Sequence, residues 1–309
     1  QCMNNQKQIV TAIMMYAQEH DEKVPAEQTF WTDIDVPAKV LKCPTADKSI
    51  ANAYVYNSLI AGKSIGEVDF PADTLACADG QREADTTTTP PKYANIAYAN
   101  TDLSRRHNNA SIVGFLDGHV EMLKDPSMWL KCLLCNFDNT VQMNMFVAGD
   151  AIVGPTCAIT LWNGEAAEGQ YSLKLHYDLP ANGTSGKNAY VSMTPLPQAQ
   201  YPVPVHKMTF FVKGDGNSKL IMVMRFSDKT GECFQHGWNQ TVHTVNFTGW
   251  KELTYNFDQP IDGGKPWGGL SPDGVQNSPM TFSSFYVQNI GSSNTTGDLL
   301  FDHFIIWIG

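Results

Sequence analysis

Residues 105–123 read RRHNNASIVGFLDGHVEML, and this stretch decides the fold of the first third of the chain. Residues 112–116 have the two-residue alternation of a β-strand. Asp117-Gly118 follows where a two-residue turn requires positive φ, and residues 120–123 supply the return strand. The stretch therefore predicts a β-hairpin.

The region ahead of this hairpin begins with a helical pattern. Ile9, Ile13 and Tyr16 recur at the spacing of one helix face, while the residues between them are mostly polar. Pro25 cannot continue a helix, so the pattern ends before it. Residues 3–19 are therefore predicted to form an amphipathic helix.

The hairpin also carries a motif, because His107 is followed after nine residues by Asp117-Gly118. It resembles the processing-associated H-X9-DG motif of prepilin-like (pseudopilin-type) proteins. Further segments follow the order of that family: NQKQI at 5–9, MYAQEHD at 15–21, FWTD at 30–33, LKCPTAD at 41–47, YVYNS at 54–58 and PADTLACADG at 71–80. The resemblance covers residues 1–125.

The resemblance implies an α+β pilin-like domain, with a long helix packed on a small antiparallel sheet. In that family an apolar membrane-spanning helix precedes the segment that matches here. We therefore expect the native protein to have an N-terminal membrane anchor, absent from this sequence, and to lie in the cell envelope or at the cell surface. Other pilin-like subunits are expected as candidate partners.

Several residues of this domain are candidates for other chemistry. His107, Asp117 and His119 have side chains that bind metals, but the turn alone accounts for Asp117, and a structural role is favoured. Cys43 and Cys77 could pair in an oxidising compartment. Cys132 and Cys135 have the C-x-x-C spacing without a second pair at zinc-ribbon distance, so core cysteines or a local disulfide are favoured over zinc.

Composition excludes some partners. The 309 residues carry a net charge of −10, so nucleic acid, whose phosphates need a basic protein face, is excluded as the main partner. Hydrophobic residues make up 42% of the chain, enough for a buried core. The length predicts two domains.

The second domain begins after Asp125-Pro126. Residues 126–135 are interpreted as a connector, and from residue 136 to 309 short β-type runs alternate with turn residues. Strands are predicted at 171–177, 189–193, 206–212, 219–226, 250–257, 284–289 and 299–308. Segments such as GQYSLKL at 169–175, MTFFVKGDG at 208–216 and TGWKEL at 248–253 resemble the jelly-roll β-sandwich of galactose-binding-like domains and carbohydrate-binding modules. An all-β jelly-roll sandwich is therefore expected, with polysaccharide as its partner.

Aromatic and polar side chains of this domain are candidates for glycan binding. Trp238, Trp267 and Tyr201 lie in polar or proline-rich segments, where an exposed ring could stack on a sugar. Strand alternation places Tyr286 and Gln288 on one face, and Arg225 interrupts an apolar strand. A cleft on one face of the sandwich would take these three with His236; a solvated outer face is the alternative.

A structural Ca²⁺ is the expected cofactor, because the resembled modules often carry one held by acidic residues near their first and last strands. Asp138 and Asp302 occupy the matching places, and a backbone carbonyl is expected near Gly169-Gln170. Such hard cations take oxygen ligands, commonly about six to eight. The alternative is that both aspartates serve only as hydrogen-bonding or solvent-facing residues.

No close-spaced pair of carboxylates of the glycoside hydrolase type is apparent in a predicted strand. The prediction is therefore a non-enzymatic, membrane-anchored, pilin-like surface protein whose sandwich binds polysaccharide. The alternative is a structural or assembly pseudopilin of a secretion or pilus-like system whose sandwich binds protein partners. A glycoside hydrolase is the third and least favoured hypothesis for the function.

Overall fold

The computed structural model describes residues 1–138, 146–150, 157–183, 189–195, 198–237, 243–258, 267–269 and 272–309, with backbone only for 146–150 and for Trp267. The chain divides into two compact units. The first comprises Gln1–Cys132 with Gly309, and the second comprises Leu133–Ile308. The division falls inside the segment 126–135 that was interpreted as a connector.

The N-terminal unit combines a long helix with a five-stranded sheet. Helix α1 (Cys2–Glu19) is followed by the short helix α2 (Phe30–Asp33). The strands are β1 (Tyr54–Asn57), β2 (Leu75–Asp79), β3 (Ile96–Ala97), β4 (Ser111–Phe115) and β5 (Val120–Leu123), in the order β3-β1-β2-β4-β5. The β1–β3 pair is parallel and the other three pairs are antiparallel.

The predicted hairpin is confirmed, but the two-residue turn is not, because residues 116–119 separate the two strands and Asp117 does not take positive φ. Strands β4 and β5 pair antiparallel, and Gly118 adopts φ +93° in the turn between them. The Asp117 carboxylate accepts a hydrogen bond from the backbone N–H of His119 at 3.0 Å, which closes the turn. Asp117 and Gly118 are thus explained by turn geometry, as the sequence indicated.

The predicted amphipathic helix is confirmed as α1, and its apolar face covers the sheet. Ile9, Val10 and Ile13 are at most 1% exposed. Val10 packs directly over Gly114 of β4, where a side chain on residue 114 would overlap it. The Gln6 side chain donates to the backbone carbonyl of Ile112 at 3.3 Å. The helix therefore packs on the sheet, while its identification as a pilin helix stays a prediction.

The C-terminal unit is a β-sandwich. The strands are β6 (Leu130–Cys135), β7 (Phe146–Asp150), β8 (Ala158–Trp162), β9 (Ser172–Leu179), β10 (Tyr190–Pro195), β11 (Gln200–Tyr201), β12 (Val205–Asp215), β13 (Leu220–Ser227), β14 (Glu232–His236), β15 (Thr248–Asn256), β16 (Trp267–Gly268), β17 (Met280–Asn289) and β18 (Thr295–Ile308). The seven-stranded sheet has the order β16-β14-β13-β17-β10-β7, with β11 paired to β17. The six-stranded sheet has the order β15-β12-β18-β9-β8, with β6 paired to β18.

Aromatic rings from the two sheets fill the sandwich interior. Phe210 of β12 stacks on Phe304 of β18 with ring centroids 4.9 Å apart. Phe285 of the seven-stranded sheet lies 5.3 Å from both Phe301 and Phe304 of the other sheet. Burial of these rings drives the two sheets together. The predicted β-sandwich is confirmed, and the chain passes repeatedly from one sheet to the other between β9 and β18.

In the part of the chain that the structure describes, no helix has both the length and the apolar character needed to cross a bilayer.

Candidate functional site

The outer face of the seven-stranded sheet gathers most of the predicted polar site residues. Phe285 points into the sandwich, so its neighbour Tyr286 faces the opposite way. In the register of the sheet, Val223 and Ser192 lie directly beside Tyr286. Residues paired in register share a face, which makes this surface continuous across β13, β17 and β10.

Arg225 is held on this face by two kinds of contact. Its guanidinium carbon lies 4.6 Å from the centre of the Tyr286 ring, a cation–π geometry. Its Nε and Nη2 atoms both donate to Oε1 of Gln235, at 3.0 and 2.6 Å. Gln235 belongs to the adjacent strand β14 and lies opposite Arg225 in register. The guanidinium is therefore fixed flat along the sheet rather than extended into solvent.

Around this pair the face is apolar and aromatic. Ile221 and Val223 have no exposed surface, and Tyr286 is 6% exposed. The Tyr190 ring meets Tyr286 edge to face at a centroid distance of 5.4 Å. Gln288 lies opposite Ile221 and Tyr190, so it borders the same cluster. The outer face of an antiparallel sheet is ordinarily polar and solvated, and this one departs from that pattern.

The outer face of the six-stranded sheet provides the contrast, because it is charged. Lys174 lies 3.0 Å from the Asp298 carboxylate and also stacks 4.6 Å from the centre of the Trp162 ring. Lys213 pairs with Glu165 nearby. Burial would raise the pKa of the Asp298 carboxyl, but the hydrogen bonds and positive charges of Lys174 and His176 outweigh it, so that this pKa is lowered. A cavity of about 320 Å³ is lined by the two ion pairs Lys174–Asp298 and Lys213–Glu165 together with the exposed Trp162.

Two predicted site residues lie elsewhere. His236 has the opposite parity to Gln235 in β14, so its ring points inward and meets Phe257 at 5.0 Å. Burial lowers the pKa of its imidazole. Tyr201 is 9% exposed, with its ring 6.5 Å from Phe226, and is a packing residue rather than the exposed ring that was expected.

The two predicted tryptophans cannot be placed in the site. Trp238 lies outside the described residues. Trp267 is described by its backbone, which pairs with Cys233 at the edge of the seven-stranded sheet, and its side chain lies outside the description. The predicted site residues that the structure brings together are therefore Arg225, Tyr286 and Gln288.

Sequence reasoning missed Gln235 and Tyr190. Gln235 stands next to His236, but the alternation within β14 gives no information on which of the two faces Arg225. That choice is made by the register between β13 and β14. Tyr190 is the second residue of the strand predicted at 189–193, and its position beside Tyr286 depends in the same way on the register between β10 and β17.

The predicted calcium ligands converge on one loop. Asp138 Oδ1 accepts from the backbone N–H groups of Gln170 and Tyr171, at 2.8 and 3.3 Å. Asp302 Oδ2 accepts from the N–H groups of Ala167 and Glu168, both at 3.0 Å. The two carboxylates thus fasten the loop 167–171 from opposite ends, and Gly169 contacts Asp138 so closely that a side chain there would overlap it.

The chemistry of this pair fits a hard cation. Asp302 has no exposed surface, and burial raises the pKa of its carboxyl to about 6, against the opposing effect of three backbone hydrogen bonds. The nearby negative charge of Asp138 raises it further. A cation between two such carboxylates would offset both effects, and oxygen atoms are the ligands that calcium prefers.

The histidines of the hairpin do not form one group with Asp117. His119 Nδ1 lies 2.5 Å from the Asp117 carboxylate, and its ring stacks on Phe115 with centroids 4.1 Å apart. His107 instead points toward Cys43, with 3.4 Å between Nε2 and Sγ. The hairpin is therefore not a metal centre of His107, Asp117 and His119.

No protein-family model matches the chain, and no curated protein matches it. Among solved structures, TmCBM61 in complex with beta-1,4-galactotriose is similar, with 12% identity, a TM-score of 0.34 and coverage of 56% of this chain and 94% of that chain. The Family 11 Carbohydrate-Binding Module from Clostridium thermocellum has 12% identity, a TM-score of 0.35, and coverage of 58% and 95%. The CBM22-1 xylan-binding domain from Paenibacillus barcinonensis Xyn10C has 13% identity, a TM-score of 0.29, and coverage of 58% and 92%.

Proposed function

We propose that the C-terminal sandwich binds polysaccharide without catalysis, along the outer face of the seven-stranded sheet. The observation that carries this proposal is the aromatic cluster around Tyr286, on the sheet face opposite to the one that carries Phe285. Tyr286 is buried, and the partly exposed Tyr190 ring and Arg225 guanidinium lie against it. The opposite outer face is charged, so the cluster is a property of this face rather than of the whole surface.

The chemistry of the cluster suits a sugar chain. A pyranose ring presents C–H groups that pack on tyrosine rings, and the partly exposed Tyr190 offers such a ring, with the buried Tyr286 packed against it edge to face. Its hydroxyls need planar hydrogen-bonding groups in fixed positions, and the partly exposed Arg225 supplies one, held in place by the buried Gln235. Because the guanidinium is already oriented by Tyr286 and Gln235, little side-chain entropy is lost when a hydroxyl binds to it.

A matched pair of substitutions tests the proposal. Arg225→Met removes the guanidinium from the proposed face, and Lys174→Met removes the corresponding cation, also stacked on an aromatic ring, from the other sheet. Affinity electrophoresis against xylan, galactan and mixed-linked β-glucan gels would measure binding. We expect Arg225→Met to weaken it by about 10- to 100-fold, the usual value of a hydrogen bond to a charged group.

Three outcomes of these experiments would refute parts of the proposal. Binding to none of the polysaccharides by the wild-type protein would refute the proposed function. Binding that survives Arg225→Met but is lost in Lys174→Met would place the ligand beside Trp162 and refute the proposed face. Release of reducing sugar by the wild-type protein would refute the absence of catalysis.

We propose a structural Ca²⁺ held by Asp138 and Asp302, supported by the buried Asp302 carboxyl and the convergence of both side chains on the loop 167–171. Calorimetric titration of EDTA-treated protein with CaCl₂ tests it. One equivalent should bind to the wild-type protein and none to Asp302→Asn. The control Asp298→Asn removes a carboxylate from the charged outer face and should leave calcium binding intact. Equal binding by Asp302→Asn and wild type would refute this site.

We propose further that the native protein is anchored in the cell envelope by a helix ahead of residue 1, with the sandwich displayed at the cell surface. The support is the resemblance of residues 1–125 to H-X9-DG prepilin-like proteins. Fractionation of native cells, followed by protease treatment of intact cells, tests the proposal. Recovery in the soluble cytoplasmic fraction would refute it.

A further inference from the structure

Cys2 and Cys43 of the N-terminal unit lie against each other and against His107. Cys2 is the first residue of α1, and Cys43 belongs to the loop between α2 and β1. The two sulfur atoms are 2.7 Å apart, and each residue is 5% exposed. We propose that Cys2 and Cys43 form a disulfide cross-link, with His107 as the group that accepts the proton of the Cys43 thiol.

The separation of the sulfurs favours a covalent bond. Non-bonded heavy atoms of this kind are at their optimum about 3.5–4.0 Å apart, and a disulfide bond is about 2.0 Å long. At 2.7 Å the two sulfurs are closer to the bonded than to the non-bonded distance. Both residues are fixed in place, Cys2 by the helix and Cys43 by a hydrogen-bonding contact with Thr45 at 3.0 Å.

A metal site is the rival interpretation, because Cys2, Cys43 and His107 bring three ligand atoms together. Two thiolates on one tetrahedral zinc ion, each about 2.3 Å from the metal, would hold their sulfurs about 3.8 Å apart. The observed separation is more than an ångström shorter. The cluster therefore fits a disulfide better than a zinc centre.

The pairing also differs from the Cys43–Cys77 pair that the sequence suggested. Cys77 lies in the middle of β2, beneath the helix, and its thiol donates to the Gln6 side chain at 2.6 Å. Cys77 is a packing residue, and Cys2 takes its place as the partner of Cys43.

Cys43 is the sulfur that a reagent reaches first. It lines an open cavity of about 560 Å³ together with Lys39, Lys42 and Lys48. Cys2 is absent from that lining, and burial and the neighbouring Cys43 raise the pKa of its thiol to about 11. Three lysines against the one carboxylate of Asp47 give this lining a net positive charge, which attracts an anionic disulfide.

His107 is positioned to take up the proton. Its Nε2 atom lies 3.4 Å from Cys43 Sγ and 3.3 Å from Oδ2 of Asp79. Asp79 has no exposed surface and accepts the backbone N–H of Ile112 at 2.7 Å, which fixes its carboxylate under the imidazole. The first residue of the H-X9-DG motif would thereby have a chemical role, separate from the turn at the other end of the motif.

The reaction with oxidised glutathione balances as follows. The Cys43 thiol transfers its proton to His107, and its thiolate attacks one glutathione sulfur, which breaks the glutathione disulfide and releases one glutathione thiolate. Cys2 then loses its proton and attacks the Cys43 sulfur of the mixed disulfide, releasing the second glutathione thiolate. The two released thiolates take up the two protons, so two protein thiols are oxidised and one glutathione disulfide is reduced to two thiols.

Mass spectrometry of the full chain tests the cross-link. After equilibration with oxidised glutathione and alkylation in denaturant, trypsin should yield residues 1–7 joined to residues 43–48, at a mass 2 Da below the sum of the two free peptides, as one disulfide bond requires. This species should vanish in Cys2→Ser and in Cys43→Ser and persist in Cys77→Ser. Because the cross-link joins residues 41 positions apart, its reduction should lower the Tm of the N-terminal unit by about 10 °C.

Three results would overturn the cross-link. One is complete alkylation of both Cys2 and Cys43 in the oxidised wild-type protein. Another is a peptide that joins Cys43 to Cys77. The third is one tightly bound zinc ion per chain, measured by elemental analysis, that is lost in Cys43→Ser.

A rate measurement tests His107 separately. We expect His107→Gln to form the same cross-linked peptide about tenfold more slowly at pH 7, because the proton acceptor is missing. His119→Gln, a change of the exposed histidine in the same hairpin, should oxidise at the wild-type rate. An unchanged rate in His107→Gln would overturn the role of His107 and leave the cross-link standing.

Discussion

Asp302 should make the stability of the sandwich depend on pH when calcium is removed. Its carboxyl is fully buried in β18, and burial together with the charge of Asp138 raises its pKa from 3.8 to about 6. The folded protein therefore holds this proton more tightly than the unfolded chain does. The resulting stability is fully present below about pH 4 and is lost as the pH rises through about 6.

The magnitude follows from the shift. One pKa unit corresponds to about 1.4 kcal/mol, so a shift from 3.8 to about 6 amounts to about 3 kcal/mol in full. About 2 kcal/mol of this stabilisation is lost between pH 4.5 and pH 7. Calcium bound at the two carboxylates would favour the charged form and should remove the dependence.

The assay is urea unfolding of the full chain in EDTA at pH 4.5 and pH 7, with Asp302→Asn as the reference. The reference is needed because His243 acts in the opposite direction: burial lowers its pKa to about 4, so its neutral form contributes stability that is lost as the pH falls below 6.5. Subtracting the Asp302→Asn values cancels this effect. Hydrogen exchange of a peptide spanning residues 299–308 would assign the change to β18.

The wild-type protein should lose about 2 kcal/mol relative to Asp302→Asn between pH 4.5 and pH 7 in EDTA. Parallel stability curves for the two proteins across this range would refute the reasoning. A gain in the stability of the wild-type protein relative to the variant as the pH rises in EDTA would also refute it. Such a gain is the behaviour of a carboxyl whose pKa is lowered in the folded state.

Three further changes have defined outcomes. Gly114→Ala places a methyl group against Val10 and should lower the free energy of unfolding in urea by about 1–3 kcal/mol. The Val10→Ala, Gly114→Ala double variant should recover part of this loss, and no recovery would contradict the overlap. His243→Gln should flatten the loss of stability between pH 6.5 and pH 4.5; an unchanged slope would contradict the lowered pKa. Asn57→Ala leaves two buried carbonyls and one N–H without their side-chain partner and should cost about 2–3 kcal/mol in thermal unfolding, whereas a cost below about 0.5 kcal/mol would contradict this.

The sequence predicted those structural elements that depend mainly on neighbouring residues along the chain. Asp117-Gly118 located the β4–β5 turn, although the connection is longer than the predicted two residues, and the spacing of Ile9 and Ile13 predicted the buried face of α1. All seven predicted strands of the sandwich, at 171–177, 189–193, 206–212, 219–226, 250–257, 284–289 and 299–308, overlap observed strands, namely β9, β10, β12, β13, β15, β17 and β18. Strand β14 was not predicted, because its run is short and polar.

Pairings between distant segments could not be predicted. The alternation within single strands placed Tyr286 and Gln288 together, but only the sheet register decides that Gln235 and not His236 faces Arg225. Cys43 had several possible partners at the sequence level, and the helix that brings Cys2 beside it is 41 positions away. Trp238 and the Trp267 side chain, which were the leading aromatic candidates, lie outside the described residues.

The strand order of the sandwich has a consequence for biosynthesis. Strand β17 lies between β13 and β10 in one sheet, and β18 lies between β12 and β9 in the other, so inner positions of both sheets are filled by the last two strands in chain order. A nascent chain that has emerged only as far as β15 therefore exposes unpaired strand edges on both sheets. Folding of the sandwich must wait for residues 280–308, and a message truncated before them would yield an aggregating product rather than a smaller domain.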